Sequence, residues 1–274
     1  MGTIAIIGYG NMGSAIGERI KAAYQVWAFD KDRAKTRDVK GINISQNAAD
    51  PATKADILIL AVKPQDFDSL LAEIKKPAVG KLVISIAAGV STAYIENKLE
   101  QVRVIRVMPN LPAKIGQGMI CLSKGSIATD DDLSFAKGIF DYMGTTMVIE
   151  EEAMNNVTAI SGSGPGYFYN LIQGMPKEEI EEYAKNTFIP ELSKSAKAIG
   201  FDPERAVMLA KVTTAGAIVL LENTKLSPEA LCSQVTSQGG TTEAGLAKLN
   251  HNIVYLGQAV EAAKKRAEEL SRKE

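Results

Sequence analysis

The sequence is poor in histidine, cysteine, net charge and long apolar runs, and each shortage removes a class of function. Its 274 residues hold one histidine, His251. A zinc site built on several histidines is excluded, and Ser-His-Asp or Cys-His chemistry would have to run through that single ring. No nucleophile elbow accompanies it, so His251 reads as an exposed or capping residue near a helix end. The two cysteines, Cys121 and Cys232, form no CxxC and are too few for a disulfide scaffold, which fits a reduced, cytoplasmic setting. Lys and Arg total 31 against 32 Asp and Glu, a net charge of −1. That balance gives no general attraction to nucleic acid or an anionic membrane. Apolar runs such as Ile57–Val62 are too short to cross a bilayer, and the basic region of a signal peptide is missing. What is present is ordinary globular composition, 46% apolar and 23% charged, in a length that suits one large domain or two ordinary ones.

The first half alternates short apolar runs with helical stretches. Thr3–Ile7, Gln25–Asp30, Ile42–Ile44, Asp56–Val62, Leu82–Ala87 and Val102–Val107 read as strands, and Met119–Leu122 and Thr146–Glu150 extend the series. Helices are expected at Ser14–Ala23, Lys31–Lys40, Phe67–Lys76 (ended by Pro77), Thr92–Leu99 and Asp131–Tyr142. This β-α-β-α order calls for a parallel doubly wound sheet with both faces covered. After Glu151 strands nearly vanish. Lys177–Ile199, Pro203–Leu221, Pro228–Val235 and Ile253–Leu270 carry helical periodicity, with Ser227 as an N-cap, Pro228 at the first helical position and Gly200 as a stop. The expected fold is α/β: a doubly wound sheet in residues 1–152, then an all-α domain in 153–274. The helix with Val207, Leu209, Val212, Ala217, Ile218, Val219 and Leu220 is apolar nearly all round. The helical domain alone could bury it, but a second subunit would do so more readily, so a homodimer through the helical half is expected.

Gly8-Tyr9-Gly10-Asn11-Met12-Gly13 is G-x-G-x-x-G, following one expected strand and opening a helix. Gly8 permits the tight turn, Gly10 lets backbone approach a pyrophosphate, and Gly13 lets helix and strand pack closely. The alternative is a glycine turn without a ligand, and the flanking strand and helix with a following acid favour a dinucleotide. That acid, Asp30, ends the second strand 22 positions after Gly8. A carboxylate there accepts from ribose hydroxyls and favours NADH, whereas Lys31 and Arg33 would instead meet a 2′-phosphate. Ala61, Val62, Lys63 and Pro64 close the fourth expected strand, where ligand crevices form, so Lys63 is a candidate cofactor contact or else a solvated loop lysine. Asn110, in Arg106–Pro112, would present an amide to the nicotinamide region, or the segment is a rigid linker with no ligand contact. Ser161–Tyr167 alternates serine and glycine, as a ligand-binding nest or an interdomain hinge would. Ser237-Gln238-Gly239-Gly240-Thr241-Thr242 precedes an expected helix at Glu243–Asn250 and offers amides to an anion, or serves as a loop with a threonine cap.

Taken in order, GYGNMG, AVKPQ, RVMPNLP, SGSGPGY and the stretch Pro228–Leu246 resemble the pyrroline-5-carboxylate reductase family over essentially the whole chain. The resemblance implies a Rossmann domain followed by a helical dimerisation domain. It implies reduction of 1-pyrroline-5-carboxylate to L-proline, the last step of proline synthesis, with NADPH or NADH. The cofactor would lie on Gly8–Gly13, with Asn47 and Lys63 as further contacts. The substrate loop would be Ser237, Gly239, Gly240, Thr241 and Thr242, holding the carboxylate, with the Thr242 hydroxyl near the ring nitrogen as orienter and proton relay. Active sites in the family lie between the Rossmann domain of one subunit and helices of both. The absence of a catalytic histidine or motif-borne lysine suits imine reduction better than hydroxy-acid dehydrogenation. Three features depart from the family: Gln238 replaces a usual proline, Gly166 a common alanine, and Met175–Lys197 is longer, which bears on assembly beyond a dimer. The alternatives are a reductase for another cyclic imine or keto acid, and a nucleotide sensor. A sensor has no need of an intact Gly239–Thr242 loop.

Overall fold

The isoleucine-rich run near the start of the chain is strand β1 (Thr3–Ile7) in the computed structural model, which describes residues 2–271. Seven further strands join it: β2 (Gln25–Phe29), β3 (Asn43–Ile44), β4 (Ile57–Leu60), β5 (Leu82–Ser85), β6 (Arg103–Met108), β7 (Gly118–Lys124) and β8 (Gly144–Val148). They form one sheet in the order β3-β2-β1-β4-β5-β6-β7-β8, and the five pairings from β3 to β6 are parallel. Ile7 stands in register with Phe29 on one side and Leu60 on the other. The strand order reverses at β1, so the carboxyl ends of β1, β2 and β4 meet at a topological switch point, where such sheets bind ligands.

Helices α1 (Asn11–Ile20), α2 (Ala49–Lys54), α3 (Phe67–Ala78), α4 (Thr92–Leu99) and α5 (Asp130–Phe140) accompany the sheet. Phe67, Leu70, Leu71 and Ile74 of α3 and Ile95 and Leu99 of α4 share a buried core with Leu58, Leu60, Val83 and Val104 of the strands. Burial of each such side chain is worth about 1.5–3 kcal/mol. A capping box between Thr129 and Asp132 starts α5.

Four local expectations are corrected. Lys31–Lys40 holds only a single 3-10 turn at Arg33–Lys35, because the segment has no apolar stripe to bury and its Asp32 side chain bonds the Ala34 amide. Helix α2 was not expected; Asn47 starts it by accepting from the Asp50 amide. Pro77 lies inside the last turn of α3 rather than after it; it has no N–H to continue the helical bonding, and the helix runs only one residue further, to Ala78. Helix α1 begins at Asn11, directly on the glycine turn.

The remaining helices are α6 (Met154–Val157), α7 (Gly164–Leu171), α8 (Lys177–Tyr183), α9 (Ile189–Ala198), α10 (Pro203–Asn223), α11 (Pro228–Val235), α12 (Thr241–Leu249) and α13 (Leu256–Ser271). A wider π-helical turn at Ala184–Phe188 joins α8 to α9 and absorbs Pro190, which has no N–H to give. Contacts divide the chain into two compact units. Among the described residues, one holds those up to Val107 together with Cys121–Glu151; the other holds Met108–Ile120 and those from Glu152. Gly216 of α10 explains why the first of those segments groups with helices: a Cβ there would lie 2.1 Å from the Gln117 carbonyl oxygen. Among the described residues α10 is the one helix long and apolar enough to cross a membrane by length and composition, a property that run lengths did not reveal. Its Leu209, Thr213, Thr214, Ala217 and Leu220 are buried within its own unit, against α7 and α9. Val207, Val212, Ile218 and Val219 stay partly exposed.

Candidate active site

The glycine turn is built by contacts that exclude side chains. Gly8 has φ +97°, and a Cβ there would lie 2.5 Å from the Ala61 carbonyl oxygen at the end of β4. A Cβ on Gly13 would lie 2.0 Å from the Gly8 oxygen, so α1 starts tight against the turn. Gly10 differs: a Cβ there meets nothing within 4 Å and would project into open space. No side chain caps α1 at Gly10, which leaves the first amides of the helix for an anion. A cleft of about 610 Å³ opens there. It is lined by Gly8, Gly10, Asn11 and Met12, by Asp30 and Lys31, and by Ala61, Val62 and Lys63. The uncapped helix start and the bare Gly10 fit a diphosphate-bearing dinucleotide.

Five of the expected cofactor residues do not line this cleft. Gly13 lies behind the turn. Tyr9 is buried, its ring lining a neighbouring cleft with Ser14, Glu18 and Lys21. Burial first and then Glu18 push its hydroxyl pKa up to about 12. Pro64 does not line the cleft, and neither does Asn47, which caps α2; its neighbour Ala48 does. Asn110 belongs to the other unit, where its Oδ1 accepts from the Met119 amide at 3.0 Å. Asp30 is on the cleft but its carboxylate is occupied. The Tyr9 amide donates to Oδ2 at 2.7 Å, the Asp32 amide to Oδ1 at 2.8 Å, and the Lys35 ammonium reaches both oxygens. Lys35 also lines the cleft, and sequence reading passed over it because spacing gives no sign of an ion pair.

In the helical unit the second glycine loop leads into α12, which starts at Thr241, two residues before its expected position. Gly240 is therefore the cap, and it has no side chain with which to bond the helix amides. Gly239 holds φ +68°, its amide donates to Glu243 Oε2 at 2.7 Å, and its carbonyl accepts from Arg266 Nε at 2.8 Å. The Gly240 amide closes the turn onto the Ser237 carbonyl at 2.9 Å. Thr242 is 4% exposed, and its hydroxyl donates to Ser163 Oγ at 3.1 Å. Ser163 Oγ lies 3.2 Å from Thr241 Oγ1, which makes a chain of three hydroxyls at the helix start. The sequence motif Ser161–Tyr167 contained Ser163, but nothing in it pointed to the threonines. Gly166 gives Thr242 its room: a Cβ there would lie 2.6 Å from the threonine methyl. Cys232 is buried beside them, and burial pushes its thiol above the ordinary range, away from nucleophilic use. His251 sits on the left-handed turn after α12, 3.2 Å from the Asn170 carbonyl, as a structural residue would.

Comparison with known proteins follows the same division. Residues 3–89 match the family model described as NADP oxidoreductase coenzyme F420-dependent, and residues 185–270 match pyrroline-5-carboxylate reductase dimerisation. The chain is 36% identical to pyrroline-5-carboxylate reductase of Methanosarcina acetivorans, with 98% of each chain covered. It is 31% identical to the Arabidopsis thaliana enzyme of that name, covering 98% of this chain and 95% of the relative. Among solved structures, pyrroline-5-carboxylate reductase of Coxiella burnetii matches with a TM-score of 0.66 at 30% identity, over 98% of both chains. Pyrroline carboxylate reductase of Plasmodium falciparum, with NADP bound, matches with 0.64 at 26%, again over 98% of both.

Proposed function

The chain belongs to the pyrroline-5-carboxylate reductase family, and from that premise we propose that it reduces 1-pyrroline-5-carboxylate to L-proline, the last step of proline synthesis. NAD(P)H, when bound, supplies the hydride for this step. In this reading residues 1–152 are the dinucleotide-binding domain and 153–274 the helical dimerisation and substrate domain. Gly8, Tyr9, Gly10, Asn11, Met12 and Gly13 form the turn that receives the pyrophosphate, with Asp30, Lys31, Asn47, Ala61, Val62, Lys63, Pro64 and Asn110 as further cofactor contacts. The open cradle at Gly10 and the uncapped start of α1 support this for the glycine turn.

The observation that carries the chemistry is the hydroxyl chain Thr241–Ser163–Thr242 at the uncapped start of α12. The amides there, with Ser237, Gly239, Gly240 and Thr241, receive the substrate carboxylate. Thr242 then holds the ring nitrogen. A protonated imine is already electrophilic, so the protein need only orient it and keep its proton placed. A threonine hydroxyl is a weak acid but a good orienter, and Ser163 behind it can pass a proton on. Ser163 therefore joins Thr242 in the site. A homodimer through the helical half agrees with the dimerisation match over 185–270, and the extra length of Met175–Lys197 offers surface for a higher oligomer. The partners are a small anionic substrate and a second copy of the chain; the near-zero net charge gives no reason for nucleic acid or a membrane. A cytoplasmic location suits a chain whose two cysteines are both buried.

Thr242→Ala tests the assignment. Turnover should fall by about 10²-fold, the usual worth of a positioned proton-handling group, while NADPH affinity is unchanged. Unchanged turnover would remove Thr242 from the site.

A further inference from the structure

We propose that Lys35 makes this protein favour NADPH by occupying the acid that would otherwise select NADH. The inference rests on the cleft at Gly8–Met12 being the dinucleotide site. At the end of β2 in such folds a free carboxylate accepts from the adenosine ribose hydroxyls and repels a 2′-phosphate. Asp30 stands at that position, 7% exposed, but it is not free. A carboxylate has about four acceptor positions. Here Oδ2 takes the Tyr9 amide at 2.7 Å and Lys35 Nζ at 3.4 Å; Oδ1 takes the Asp32 amide at 2.8 Å and Lys35 Nζ at 3.3 Å. A ribose hydroxyl finds no acceptor left, and the negative charge is neutralised.

The other acids on the cleft are held too. Asp66 pairs with Lys31 at 2.6 Å, and Glu73 accepts the Ala48 and Ala49 amides at 2.8 and 3.2 Å. The cations keep capacity to spare. Lys35 is 44% exposed and retains one N–H beyond the two that reach Asp30. Lys31 is more exposed still, and Lys63 makes no ion pair among the described residues. All three line the cleft. A 2′-phosphate arriving beside Asp30 therefore meets ammonium groups, and Lys35 is the specificity-determining residue. The spacing of Asp30 alone pointed the opposite way, to NADH.

Titration of the full-length protein with NADPH and with NADH, followed by nicotinamide fluorescence without substrate, tests this. Wild type should bind NADPH at least about tenfold more tightly than NADH, the worth of one charge-assisted contact. Lys35→Met should erase that preference by weakening NADPH while NADH holds or tightens. Lys35→Arg, which keeps the charge, should retain it. A wild-type preference for NADH, or a Lys35→Met variant that loses both coenzymes equally, overturns the inference. The wild-type ratio decides the matter even where Lys35→Met fails to fold. Because no substrate is present, a protein that prefers NADPH yet does not reduce the imine would refute the reaction and leave this inference standing.

Discussion

Gly166→Ala puts one methyl group where Thr242 needs space. The added Cβ would lie 2.6 Å from Thr242 Cγ2 and 3.3 Å from Val235 Cγ1. Carbon atoms rest at about 3.5–4.0 Å, so the threonine methyl must retreat by about 1 Å. Thr242 is β-branched and buried, with no long side chain to bend away. Relief comes by turning χ1, which takes its hydroxyl off Ser163, or by moving the start of α12. Overpacking of this kind costs about 1–3 kcal/mol. The lost Thr242–Ser163 hydrogen bond costs about 1 kcal/mol more. Alanine in place of glycine within α7 returns about 1 kcal/mol, so the net loss stays near the overpacking cost alone. Activity should suffer more than stability, because a 1 Å misplacement at a reacting centre costs up to about 10²-fold in rate. Urea unfolding reads the first quantity and kcat the second. NADPH affinity should not change, since Gly166 lies outside the coenzyme cleft. In a Thr242→Ala background the 2.6 Å clash is gone and only the tighter contact with Val235 remains, so Gly166→Ala should cost much less there. A Gly166→Ala variant with wild-type kcat would refute the reasoning, and with it the claim that Thr242 must stand where it does.

The glycine turn and the buried Tyr9 yield two further tests. Gly10→Ala should leave the melting temperature intact, because its Cβ meets nothing, but should abolish coenzyme binding by filling the cradle. Gly13→Ala should lose both, with about 3 kcal/mol of stability gone, because its Cβ would lie 2.0 Å from the Gly8 oxygen; tight coenzyme binding by Gly10→Ala contradicts the site. Tyr9 has a folded pKa of about 12 against 10.0 unperturbed, so its contribution to stability is full below pH 10 and is lost as pH rises through 12. Tyr9→Phe should match wild type near neutral pH, since the hydroxyl is buried without a partner among the described residues, and should decline less steeply in that alkaline window. An unchanged alkaline slope in urea unfolding would show that Tyr9 is not responsible.

The sheet was legible because its strands are short apolar runs bounded by turns, and the glycine fingerprint located the cleft because each glycine answers to a steric demand. Lys31–Lys40 was misread as a helix because helix-forming residues were present without an apolar face. Asp30 shows a deeper limit. Its identity and position follow the NADH pattern, yet its carboxylate is filled by two amides and a lysine five residues on, and spacing carries no record of how many acceptors remain. Ser163 was inside a motif already noticed, but its 3.1 Å contact with Thr242 joins positions 79 residues apart. Met108–Ile120 runs from the end of β6 into β7, yet it groups with helices because Gly216, far along the chain, admits the Gln117 carbonyl. Such pairings arise from packing, and one sequence does not display them.

Initial rates of NADPH and NADH oxidation with 1-pyrroline-5-carboxylate, with L-proline quantified as product, address the central claim most directly. The account predicts rapid oxidation, one proline formed per coenzyme consumed, and NADPH the better donor. No oxidation of either coenzyme by a preparation that binds NADPH would contradict it.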